Sequence, residues 1–179
     1  MPITPFHFGP AAAAKAISTK YFSFLVFGFS QLIIDAEPAF YIARGDWPVH
    51  RFLHTYLGAS LVAVIAVAVG RPVAGLVIRV WNQHLHPFWR PWLEISPRIP
   101  LVAALSGALF GTYSHVLLDS VMWSDIRPFA PWFDRNILLG LMPVAHLYML
   151  SGGLGVLGGL TLLMLGRRRA AANRKGQGA

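Results

Sequence analysis

Apolar residues along this chain fall into four long runs, covering roughly residues 21 to 42, 52 to 69, 101 to 123 and 137 to 165. Each approaches the ~20 residues that a helix needs to cross the hydrocarbon of a bilayer. The fourth is interrupted by Pro143 and by Gly152, Gly153, Gly155, Gly158 and Gly159, small residues that permit bending or close helix contact. The pattern predicts an all-α protein, an integral membrane four-helix bundle formed by residues 1–166 as a single domain. Lys15 and Lys20 precede the first run as they would in a signal peptide. That run is nevertheless too long, and it carries Asp35 and Glu37 before any cleavage pattern, so it is expected to stay as a span.

The polar stretches between the runs complete the outline. Residues 8 to 18 are rich in Ala and are expected to form a short half-helix of ~15 Å. A turn near residues 15 to 20 would bring it back and return His7 toward Asp35. Residues 70 to 100 mix aromatics, Arg and Pro with no clean period, which predicts an interfacial segment, partly an amphipathic helix, between spans 2 and 3. Residues 167–179, "RRRAAANRKGQGA", are expected to be a basic, disordered cytoplasmic tail touching anionic lipid.

Charge then orients the bundle. Eleven of the fifteen Lys and Arg residues fall on one side of the runs and four on the other. This places both termini in the cytoplasm, with the loops at 43 to 51 and 124 to 136 outside. Trp47, Trp123 and Trp132 suit the outer interface, and Trp81, Trp89 and Trp92 the inner one. A net charge of +8 would also suit nucleic acid, but the basic residues flank apolar runs and form no separate basic domain. Membrane lipids are the expected partners and no nucleic acid is expected.

Against this apolar background the ionisable positions stand out. His115 and Asp119 lie eight and four residues from the outer end of the third run, Asp35 and Glu37 lie at similar depth in the first, and His50 and His54 open the second. Groups at such depth cost at least ~2.5 kcal/mol each to insert, so they generally face one another, a metal or a water-filled cavity. The chain has no cysteine, so any metal must be held by His, carboxylate, backbone or water. His50 with His54, and His115 with Asp119, are spaced four apart and would each project from one helix face. Pairs of this kind hold catalytic zinc, which lowers the pKa of bound water to ~7. The plainer readings are that Asp35 and Glu37 pair with Arg44 or Arg51, that His146 packs as a hydrogen-bonded residue, and that His84 and His86 are solvated at the interface.

Five stretches in this order resemble a known family: His7 in "TPFHFGP", "DAEP" at 35 to 38, "HRFLHT" at 50 to 55, "GTYSHVLLDS" at 111 to 120 and "IRPFAP" at 126 to 131. They resemble the membrane-bound proteins described as metal-dependent hydrolases, among them LexA-regulated proteins of the bacterial inner membrane. More distantly they are similar to helical zinc-dependent phospholipase C. The resemblance implies a divalent metal, zinc first, as one or two ions held by His7, Asp35, His50, His54, His115 and Asp119. It implies activated water attacking a phosphoester or lipid-like substrate, such as a phospholipid, in the outer half of the bilayer. In such a site Glu37, or Asp35 if not both coordinate, is the expected base, and Arg51 and Arg127, on the two outer loops, are the groups expected to hold a phosphate oxygen. Two other classes use the same residues: a small transporter or ion relay, and a noncatalytic membrane scaffold with a polar core.

Overall fold

The computed structural model describes residues 5–176, and among them there is no strand. A short 3-10 turn, Pro5–His7, leads into α1 (Phe8–Ile17). There follow α2 (Phe24–Arg44), α3 (Tyr56–Ile65), α4 (Arg71–His84), the short α5 (Arg90–Leu93), α6 (Leu101–Met122) and α7 (Val144–Gly176). Four helical stretches are long and apolar enough to cross a membrane: Phe24–Arg44, Tyr56–His84, Leu101–Met122 and Val144–Arg168. The protein is an all-α integral membrane bundle.

Local chemistry sets the boundaries. The Ser23 hydroxyl accepts from the Val26 N–H at 3.3 Å and starts α2. Gly45, at φ 71°, ends it in the left-handed cap that glycine adopts without penalty. The Thr55 hydroxyl accepts from the Gly58 N–H at 2.9 Å and starts α3.

Three expectations from the sequence are corrected. The second span does not stop near Val69, because the π turn Ala66–Gly70 joins α3 to α4 in one 29-residue stretch. In that turn the Arg71 N–H bonds the Ala66 carbonyl, five residues back, and the wider turn lets the helix pass Pro72, which has no N–H to give. The interfacial connection is therefore reduced to residues 85–100. The fourth span begins at Val144 rather than near residue 137, since Gly140 (φ 71°) and Pro143 hold the preceding residues out of the helix. Finally, α7 continues from Arg167 to Gly176 instead of giving way to a disordered tail. Ala, Arg and Lys are strong helix formers, and they propagate the turn. Residues 177–179 of that tail lie outside the described residues.

Helix α6 is the centre of the bundle. In its most apolar stretch 44% of residues are buried inside the protein, against 11% for α7, so α7 is the peripheral helix. Gly107 and Gly111 let α6 approach α2 closely, since a Cβ on either would overlap Ser23 backbone or the Ser30 hydroxyl. Between apolar helices in lipid, such close packing replaces the hydrophobic drive available in water. Helix α1 lies along α7 by the same device: Gly9 abuts the Ser151 carbonyl, and Gly158 abuts the backbone of Ala12 and Ala13. The Lys15 ammonium donates to the Thr19 and Phe22 carbonyls and closes the turn from α1 into α2. The half-helix at the N-terminus is thereby folded back against the bundle, with His7 buried at its tip.

Candidate metal centre

Six side chains from four stretches of chain meet at the end of the bundle that carries residues 45–55 and 123–143. Helix α6 supplies His115 and Asp119, one turn apart, with Nε2 and Oδ2 at 3.3 Å. Helix α2 supplies Asp35, whose Oδ1 lies 3.4 Å from the same His115 Nε2. His7 brings its Nε2 to 3.1 Å from Asp119 Oδ1, and its ring stacks on His115 with centroids 4.3 Å apart. His54 places Nε2 3.9 Å from Asp119 Oδ2, and the His50 ring stands 4.6 Å from that of His54. All six are buried. Their potential ligand atoms form three overlapping triads: His7–His115–Asp119, Asp35–His54–His115 and His50–His54–Asp119. Within each triad the atoms lie within 4.8 Å of one another.

Three of the imidazoles are aimed by partners behind them. The Gln31 amide donates to the Gly111 carbonyl at 3.0 Å, which leaves its Oε1 to accept from His115 Nδ1–H at 2.7 Å. His50 Nδ1–H donates to Asp125 Oδ1 at 2.9 Å, and His54 Nδ1–H donates to Glu37 Oε2 at 3.1 Å. With the proton on Nδ1, each ring keeps its Nε2 lone pair for the interior. A carboxylate or amide behind a histidine in this way is the usual accompaniment of a metal-ligating imidazole. Sequence reading found neither Gln31 nor Asp125 as a site residue. Gln31 had one available signal, its position four residues before Asp35 on the same face of α2.

His50 and His54 converge for a different reason from the one their spacing suggested. Both precede the first turn of α3, in nonhelical chain. Acidic side chains from two neighbouring elements shape that loop. Glu37 accepts from the N–H groups of Arg51 and Leu53, both at 2.9 Å, and Asp125 Oδ2 accepts from those of Val49 and His50, both at 3.1 Å. The Tyr56 N–H donates to the Pro128 carbonyl at 2.8 Å and ties the segment carrying Asp125 onto the start of α3. Glu37 therefore meets the backbone of Arg51 and Leu53 and the ring of His54. With both oxygens engaged, its contacts describe a positioning residue rather than the expected base.

The electrostatics favour a cation. His54 Nε2 and His115 Nε2 are buried without a hydrogen bond of acceptable geometry, and they face the carboxylates of Asp35 and Asp119. Burial holds the His54 imidazole below the usual histidine range, despite the opposing pull of Glu37, and so keeps it in the neutral form that binds metals. Burial pushes the Asp125 carboxyl upward, but the hydrogen bonds and charge of His50 outweigh it and hold the group below the usual carboxylate range. Inward-facing lone pairs and carboxylates directed at one volume are an arrangement that a cation satisfies and an empty apolar core does not. Nitrogen and oxygen donors of this mix could hold a metal ion.

The remaining candidates divide into two groups. Arg51 and Arg127 line a cavity of about 420 Å³ that reaches His50 and Asp125. The Arg51 Nε donates to the Pro48 carbonyl at 2.9 Å and its guanidinium sits 3.6 Å from the Tyr41 ring centroid. Arg127 lies 3.9 Å from Asp134. His84, His86 and His146 are exposed and lie outside the three triads. No family model, curated protein or solved structure matches the chain.

Proposed function

We propose that this protein is a membrane-bound metal-dependent hydrolase acting on a phosphoester or lipid-like substrate. The observation that supports it is the set of imidazoles turned Nε2-inward upon Asp35 and Asp119. Zinc is the leading ion. The cluster would hold one or two ions, since Asp119 presents Oδ1 to His7 and Oδ2 to His115 and His54 and so takes part in two of the triads. Asp35, Glu37, Asp119 and Asp125 together carry a formal charge of −4, which two divalent ions balance.

A bound divalent ion of this kind lowers the pKa of a coordinated water to ~7 and polarises the oxygen of an ester. The protein's own residues do the rest. Gln31, Glu37 and Asp125 fix the rings and their tautomers. With Glu37 committed to the histidine loop, Asp35 would accept the proton during attack in an arrangement where it does not itself coordinate. Arg51 and Arg127 stand at the cavity beside His50, where they can hold anionic oxygens of a phosphoryl group. The charge bias of the loops supports a site on the outer side of the membrane with both termini in the cytoplasm, and the family resemblance implies a bacterial inner membrane.

Metal analysis of the detergent-purified protein tests the reading. About one equivalent or more of a divalent metal is expected, falling toward none when His115 and Asp119 are both replaced by Ala. A polar scaffold predicts no metal in either sample, and that result would overturn the proposal.

A further inference from the structure

Beside the cluster, and sharing no lining residue with the arginine-bearing cavity, runs a groove of about 510 Å³. Leu25, Gly28 and Leu32 of α2 form one wall, and Val73 and Val77 of α4 form the other. These walls belong to helices long and apolar enough to cross a membrane, and the residues between them make an apolar lining. Leu32 and Val77, 61% and 50% exposed, mark where it opens sideways toward lipid. Its polar lining is confined to His7, Gln31 and Asp35, two members of the cluster and the residue that aims a third. From Phe24, at the cytoplasmic end of α2, to Asp35 the wall rises ~16 Å, about half of the ~30 Å hydrocarbon core, so a chain seated there runs inward from the cluster.

Gly28 points the same way. A Cβ there would meet only the Phe8 ring, at 3.6 Å, an ordinary contact. Helix packing does not require a glycine at this position, and glycine within a helix costs ~1 kcal/mol relative to alanine. What the missing side chain provides is width in the groove.

We propose that the groove holds one hydrocarbon chain of a membrane lipid, admitted laterally from the bilayer, with the lipid's polar head delivered to the His7–Asp35 end of the cluster. An amphiphile is the occupant whose chemistry matches both parts, apolar along the ~16 Å of the α2 wall and polar at the cluster. The identification of this lipid as the substrate rests on the hydrolase reading; the chain site itself does not. The substrate class is then a long-chain lipid phosphoester, and water-soluble phosphoesters lack the part that the groove recognises.

The test uses the full-length protein in phosphatidylcholine vesicles doped with a phosphatidylcholine whose acyl chain carries a photoreactive diazirine. Irradiation is followed by peptide mapping. Labelling at Leu25, Leu32, Val73 and Val77 is expected to exceed, several-fold, that at the lipid-exposed Leu109 and Met149. Gly28→Leu should reduce it to the level of those positions. Val77→Trp, at the open rim, provides a second filling variant should the first fold poorly. Equal labelling of groove and outer surfaces, or preferential labelling that survives in both filled variants, would overturn the proposal. Metal content measured on the parent protein separates the two readings: no preferential groove labelling with metal present rejects the chain site alone, whereas preferential groove labelling without metal leaves the chain site standing and rejects the hydrolase.

Discussion

Replacing Glu37 by Gln probes how the histidine loop is held. Glu37 Oε2 accepts two donors, the Arg51 N–H and His54 Nδ1–H, and Oε1 accepts one, the Leu53 N–H. A glutamine has one acceptor atom, and its NH2 must face donors whichever way the amide turns. One orientation loses the Leu53 bond, and the other loses both bonds on the His54 side. Hydrogen bonds to a charged group contribute ~1.5–3 kcal/mol each, so the loss lies between about 1.5 and 6 kcal/mol. The Glu37 side chain is only 8% exposed, so water compensates little. Thermal unfolding in detergent should show the decrease, a fall of at least ~3 °C for a protein of this size. Zinc affinity, measured by competition with a chromophoric chelator, should weaken ~10–100-fold, as expected when the partner behind a ligating histidine is removed. Unchanged stability together with zinc affinity within a factor of two of the parent would refute the assignment of Glu37 as the residue that sets His54.

Three further outcomes are expected. Chelator should lower the unfolding temperature of the purified protein and added zinc should restore it, because an ion that binds only the folded state stabilises by ~4 kcal/mol at a thousand times its Kd; an unfolding temperature indifferent to both treatments counts against the centre. Gly9→Val forces α1 away from the Ser151 carbonyl and carries His7 with it, so metal affinity should fall although no ligand is altered; retention of full affinity would show that His7 contributes nothing. Since the chain has no native cysteine, single cysteines at Trp132 and Phe88 report orientation directly: a membrane-impermeant maleimide applied to intact cells should label position 132 and spare position 88.

Five of the six clustered side chains stand out in the sequence because burial of ionisable groups is costly enough to leave a pattern, and His7 stands out only through the family resemblance. His115 and Asp119 were legible as a pair through helical periodicity, and α6 presents them one turn apart. His50 and His54 were legible as candidates, but periodicity misdescribed their setting: their convergence comes from carboxylates on α2 and beyond α6 that grip loop backbone. Such long-range bonds leave no trace in local spacing. Asp125 was missed for the same reason, as an isolated acid in a polar loop whose partner lies 75 residues away. The length of the second span was misread because Pro72 is ordinarily a stop, and a π turn is invisible to apolar periodicity.

The division of the ligands among separate chain segments also bears on how the protein is made. Each triad combines α6 with at least one other element: His7 before α1, the loop before α3, or α2 together with that loop. Helices newly inserted in the bilayer but not yet associated hold no complete triad. Under the metal reading, cation capture follows helix association and then ties the N-terminal half-helix and three spans together in one event. Metal supply to the nascent membrane protein would thus act as an assembly checkpoint, distinguishing bundles that have closed correctly from those still exploring their contacts.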